Sequence, residues 1–288
     1  MIKLSTPVDS SPLGFVISHN NSLMFLGSCF AENMGTQMQQ LGFSVSVNPF
    51  GILYNPLSMA EAMRRCLDDE AIGEEKLVFY EGLWHSWLHH GAFSRRDKQE
   101  CLDVCNESIH SANDFLKTCD TLVVTFGSAW AYVLDDGLIV ANCHKVPASR
   151  FSKRLLSVDE VVTSWLPLTE RLLQQGKRIV FTVSPVRHLA YGAHGNQLGK
   201  AVLLLAIEEM LAKCAKGIAY FPAYEIVVDE LRDYRFYADD MAHPSPLAER
   251  VVWQRFQESC MSSETIEKCR QRELEIKRQN HRPLHGGT

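Results

Sequence analysis

Four short apolar runs punctuate the chain, at residues 23–26, 121–126 (TLVVTF), 178–183 (RIVFTV) and 217–221 (GIAYF). None alternates strictly between apolar and polar positions, so each reads as a strand covered on both faces. Between them the apolar residues recur with helical period over 31–41, 57–67, 98–119, 157–175, 196–214 and 246–256. The fourth helix carries its own stop signs, Ser157 and Asp159 at the start and Gly176 at the end. Strands alternating with helices predict an α/β fold, a three-layer α/β/α sandwich around a mostly parallel sheet.

One segment breaks the alternation. In SAWAYVLDDGLIVANCHK two β-like runs flank Asp136-Gly137, a dipeptide suited to a tight turn, which predicts a β-hairpin inserted beyond the strand that ends at Phe126. No repeat and no Pro- or Ser-rich linker divides the chain, so residues 1–262 read as one α/β domain. Residues 263–288 lose the apolar face and are dense in both charges, which predicts a solvated helix and a frayed tail.

Composition narrows the partners. The 288 residues are 46% hydrophobic, ample for a core, and carry a net charge of −5. That balance offers no basic field for a polyphosphate, so nucleic acid is not an expected partner. No run approaches the length of a membrane span, and MIKLSTPVDSSPLGF places Pro, Asp and Ser where a signal peptide needs apolar residues; a cytoplasmic, membrane-free protein is expected. Nine cysteines without a Cys-x-x-Cys pair signal reduced thiols rather than disulfides or structural zinc.

In open α/β sheets ligands sit beyond the carboxyl ends of the strands. There the sequence places Gly27, Ser28 and Cys29, then Gly127 and Ser128, then Arg187 and His188, and near the end FYADDMAHPS with Asp240 and His243. Serine needs a base to take its proton, and the base needs a carboxylate to orient it. Asp240 and His243, three apart on a short turn, supply both functions, although Asp240 also suits a turn cap and Ser28 also suits a helix N-cap. Gly27 admits close backbone approach, and the helix after Ser28 offers N–H groups and a positive dipole end to an oxyanion.

Cys29 is a rival nucleophile, but neighbours on a turn face different ways and only one meets the base. His85 and His89 stand at i, i+4, a zinc spacing only if the segment is a helix with a third ligand; no metal is expected, and His90 is placed on the substrate pocket. Arg187 suits a substrate carboxylate or phosphate as well as a salt bridge, and His188, His144 and Lys145 suit a pocket rim as well as structural contacts.

Five motifs then fall in order: GSCFAENMG at 27–35, NPFGILYNP at 48–56, ANCHKVP at 141–147, SPVRH at 184–188 and DDMAHPS at 239–245. Together they resemble the GSCFA-domain family, which looks like a branch of the SGNH, or GDSL-like, hydrolase superfamily. The resemblance implies a five-stranded, flavodoxin-like sheet and an esterase that works without a cofactor. Ser28 would attack an ester, such as an O-acetyl or other short acyl ester of a small molecule or carbohydrate, with Asp240 and His243 completing the triad. The backbone N–H groups of Ser28 and Gly51 would hold the oxyanion. The superfamily's Gly-x-Asn-Asp is replaced here by Gly127-Ser128-Ala129-Trp130, so the usual asparagine donor is missing. Asn142 or the Ser128 hydroxyl would have to stand in. Two alternatives remain open at this point, a catalytically degenerate ligand-binding module and an acyltransferase using the same triad.

Overall fold

A computed structural model describes residues 6–280 except Ser11 and Ala215. Its centre is a five-stranded, wholly parallel sheet built from β1 (Ser22–Gly27), β2 (Ser44–Val47), β5 (Thr121–Phe126), β9 (Arg178–Val183) and β10 (Ile218–Tyr220). Two strands outside it, β3 (Leu77–Tyr80) and β4 (Leu83–Ser86), form an antiparallel hairpin. The inserted strands β6 (Trp130–Val133), β7 (Ile139–Val140) and β8 (Ser152–Leu155) form a third small sheet in the order β7-β6-β8.

The central order is β10-β9-β5-β1-β2. In that flavodoxin-like arrangement the chain reverses direction of travel between β1 and β5, and the crevice at their carboxyl ends is the favoured ligand position. The helices are α1 (Cys29–Gln40), α2 (Pro56–Asp68), α3 (Lys98–Thr118), α4 (Val158–Gln174), α5 (Gly192–Lys213), α6 (Ala223–Glu225, continued by the π-helical turn Ile226–Leu231), α7 (Pro246–Cys260) and α8 (Ser263–Asn280).

Strand β1 shows why the apolar runs do not alternate. Leu23 and Phe25 pack with α1, α7 and α8 on one face, while Met24 and Leu26 pack with α2, α3, α4 and α5 on the other. Local signals agree with the helices that follow. Ser157 and Glu160 form a reciprocal capping box at α4, and Asn55 and Ser245 cap α2 and α7 ahead of a proline in the first turn.

The hairpin at Asp136-Gly137 is present, with Gly137 at φ +87° and Asp136 Oδ1 accepting from Leu138 N–H. Its third strand, β8, was not expected from the sequence. Neither was β2, whose SVSV is an edge strand without a buried residue, nor the β3–β4 hairpin, which turns on Glu81-Gly82, both at positive φ. The charged segment does form a helix, but α8 is not wholly solvated: Cys269 and Thr265 are buried against the body. The expected frayed tail, residues 281–288, lies outside the described residues. Among the described residues no helix is long and apolar enough to cross a membrane.

Candidate active site

The first strand ends on a glycine for a steric reason. Gly27 has φ +144°, and a Cβ there would stand 2.2 Å from the carbonyl oxygen of Thr125 on β5. The next residue, Ser28, occupies the N-cap of α1 with extended backbone, yet its side chain makes no capping hydrogen bond. Its Oγ is buried and has no hydrogen-bond partner at all. The helix thus begins directly on Ser28, and its first-turn N–H groups are left uncapped by that side chain.

His243 approaches from the far end of the chain on a tight turn. Ala238 N–H donates to His243 O at 2.8 Å, and Met241 at φ +56° lets the chain reverse. Asp240 both shapes the turn and orients the ring. Its Oδ1 accepts from the N–H groups of Ala242 and His243 at 2.9 Å each, and its Oδ2 lies 2.5 Å from His243 Nδ1. These backbone donors first, then the imidazole, hold the Asp240 carboxyl down to about 2, so it stays an anion and an acceptor. Nδ1 therefore carries the proton, and Nε2 is the basic nitrogen.

Ser28 and His243 line one cleft of about 150 Å³, with Cys29, Tyr54, Arg187 and His188. No hydrogen bond joins Ser28 Oγ to His243. Burial, its largest influence, raises the Cys29 thiol above its ordinary value, which makes it a poor thiolate source beside Ser28. Burial, with the nearby Lys200 charge, lowers His188 and favours its neutral form, and its ring stacks near Tyr54 at 6.1 Å. Arg187 braces the Asp240–His243 turn: its N–H donates to Ala242 O and its guanidinium to Met241 O, both at 2.9 Å, with Tyr234 and Tyr237 beneath the cation.

Other expected site residues fall elsewhere. Gly51 N–H donates to Asn48 O at 2.7 Å, so it is already engaged; the glycine is needed because a Cβ would meet His90 Cβ at 2.2 Å. His90 lies outside the cleft and accepts from Ala92 N–H, capping a short turn. Asn142 accepts from His144 N–H and lines a separate cleft of about 350 Å³ with His85 and His144, not the one holding Ser28. His144 is buried, bonds Ser86 O at 2.7 Å, and is pushed down to about 4 by burial, all consistent with a neutral structural ring. Ser128 Oγ accepts from Trp130 N–H at 3.1 Å and also lies off the Ser28 cleft.

His85 is on β4 rather than on a helix, and its ring bonds Ser94 and Tyr80, while His89 bonds Ser86. The i, i+4 spacing is therefore not a shared metal edge, and no group of three potential metal ligands occurs among the described residues.

Two buried polar residues behind the cleft were not singled out from the sequence. Asn48 follows β2 at φ +43°, with Oδ1 accepting from Gly27 N–H at 2.9 Å and Nδ2 buried without a partner. Its signal was present in NPFG, since asparagine is among the few residues that tolerate a left-handed backbone. Lys200 on α5 is fully buried under the cleft; its Nζ donates to Gly127 O at 2.7 Å and Ser184 O at 2.6 Å. A lone lysine within LGKAVLLLA was the only hint.

A three-layer α/β protein with a buried serine at a helix N-terminus and an Asp–His pair across one cleft, at the sheet's topological switch, is the class that fold and site define. Residues 22–256 match the GSCFA family, and the chain belongs to it. No curated protein matches the chain.

Proposed function

We propose that this protein is a serine hydrolase that cleaves a short acyl ester through an acyl-serine intermediate. The observation that carries the reading is the unpartnered Ser28 Oγ, sharing a cleft with a histidine whose other nitrogen is held by a carboxylate.

Ser28 Oγ attacks the acyl carbon as its proton passes to His243 Nε2. The alcohol leaves with that proton, and a water activated by the same nitrogen then hydrolyses the acyl-enzyme. Asp240 fixes the tautomer and offsets the imidazolium charge. The uncapped N–H groups at the start of α1 face the developing oxyanion with the positive end of the helix dipole. The missing Ser28–His243 hydrogen bond is compatible with this sequence of steps, because such bonds commonly tighten only once substrate is in place.

Size favours a small acyl group. At about 150 Å³ the cleft is below the range of roughly 300–1,000 Å³ that holds whole drug-sized ligands. It suits an acetyl-like acyl part, while the half-exposed Asp240–His243 pair leaves the alcohol part outside, where a carbohydrate or other bulky alcohol fits. The same steps with an alcohol in place of water give an acyltransferase. A silent ligand-binding module is the second reading, and the separation of Ser28 Oγ from His243 is what favours it.

Hydrolysis of p-nitrophenyl acetate tests the reading. The wild-type protein is expected to release p-nitrophenol with a burst of one equivalent, and Ser28→Ala to fall to the uncatalysed rate. Turnover by Ser28→Ala at the wild-type rate would contradict it, and product transferred to an added alcohol would identify the acyltransferase.

A further inference from the structure

Two buried side-chain atoms without a partner, Ser28 Oγ and Asn48 Nδ2, are linked through a single residue. Gly27 carries Ser28 on its carbonyl side, and on its amide side its N–H is held at 2.9 Å by Asn48 Oδ1. That contact settles which way the amide faces: only an oxygen accepts from an N–H, so the atom left over is the –NH2. Asn48 is 7% exposed, and its backbone hydrogen bond to Phe25 O continues the β1–β2 ladder, while its left-handed φ of +43° turns the following chain away. The side-chain oxygen therefore takes the ladder position of the Asn48 carbonyl and holds the Leu26–Gly27 peptide, one residue before Ser28.

A buried amide with one end satisfied and the other empty is uncommon, and the empty end costs free energy unless something fills it. The cap of β1 needs only Oδ1, so it does not explain why the donor end is left empty. Asn48 is not itself part of the cleft wall, but its free donor sits one residue from Ser28 through Gly27, and a donor within reach of the acyl site is what stabilisation of a developing oxyanion requires. The rival donors are engaged or distant: Gly51 N–H is bonded within its own turn, and Asn142 lines another cleft.

We infer that Asn48 is a catalytic residue, its Nδ2 donating to the oxyanion that forms when Ser28 attacks an acyl carbon, together with the N–H groups at the start of α1. The inference rests on the proposed hydrolase reading and adds to it the side-chain donor that Gly127-Ser128-Ala129-Trp130 does not supply.

Asn48→Asp retains an acceptor for Gly27 N–H and removes the donor, and Asn48→Ala removes both without adding charge. With p-nitrophenyl acetate, both variants are expected to lose roughly 10²- to 10³-fold in kcat with KM little changed, the loss typical of one oxyanion donor. Wild-type kcat in folded Asn48→Asp would overturn the assignment and leave the hydrolase reading standing. A wild-type protein that neither turns over this ester nor reacts with a fluorophosphonate would overturn the hydrolase reading itself, and this assignment with it. Independently of how the variants fold, a crystal structure of the wild-type phosphonate adduct is expected to show the phosphonyl oxygen about 2.7–3.1 Å from Asn48 Nδ2. A phosphonyl oxygen bonded elsewhere, with Nδ2 still unpartnered, would also overturn the assignment.

Discussion

Ser28 illustrates how one residue position serves two ends. It stands where an N-cap stands, but its hydroxyl does not cap, and its burial without a partner would be a cost in a purely structural serine. Removing that hydroxyl should therefore cost the fold little. Ser28→Ala is expected to change the free energy of urea unfolding by less than about 1 kcal/mol, in either direction. A loss well beyond that would show the hydroxyl to be a structural cap. Asp240, by contrast, fills both of its available roles at once: one oxygen builds the turn that carries His243, and the other holds the ring. Both roles lie within four consecutive residues, which is why the Asp-x-x-His spacing is legible in the sequence. Asn48 is not, because nothing in the string NPFG separates an asparagine chosen for its left-handed backbone from one chosen for its amide.

Among the elements, the ends of β5 and β9 meet under the cleft, and Lys200 of α5 ties them by their Gly127 and Ser184 carbonyls. Burial pushes its ammonium down to about 7, against about 10.4 in an unfolded chain. The unfolded chain consequently binds more protons between those values, so this group makes stability rise with pH across that window, by up to about 1.4 kcal/mol per pH unit. The difference in unfolding free energy between wild type and Lys200→Met is accordingly expected to grow in favour of wild type from about pH 7 to about pH 10. A difference that stays flat over that range would mean that burial does not lower the amine. The elements themselves were legible where both faces are apolar, as in β1, β5 and β9, and where caps are explicit, as in α4. They were hidden where a strand lies at an edge or is held by long-range pairing: SVSV of β2 buries no residue, and SKRL of β8 is recruited by β6.

At the scale of the whole molecule, the switch in strand order between β1 and β5 brings residues 28 and 243 to one crevice across more than two-thirds of the chain. A larger hollow of about 980 Å³ lies between α1, α7 and α8, but it joins neither Ser28 nor His243. The sequence motifs pointed to the serine and the Asp–His pair because each is local, a few residues long. The surroundings of Gly51 and Asn142 were not legible, because they depend on which loop turns inward: Gly51 N–H bonds Asn48 O, and the arm bearing Asn142 folds toward His85 and His144. The central claim is that Ser28 is a nucleophile activated by His243. The most direct measurement is reaction of the folded protein with a fluorophosphonate, with the adduct mapped by mass spectrometry in wild type and in His243→Ala. A single adduct on Ser28, lost or much slowed in His243→Ala, is the predicted result; no adduct on folded wild-type protein, or one on another residue such as Cys29, would contradict it.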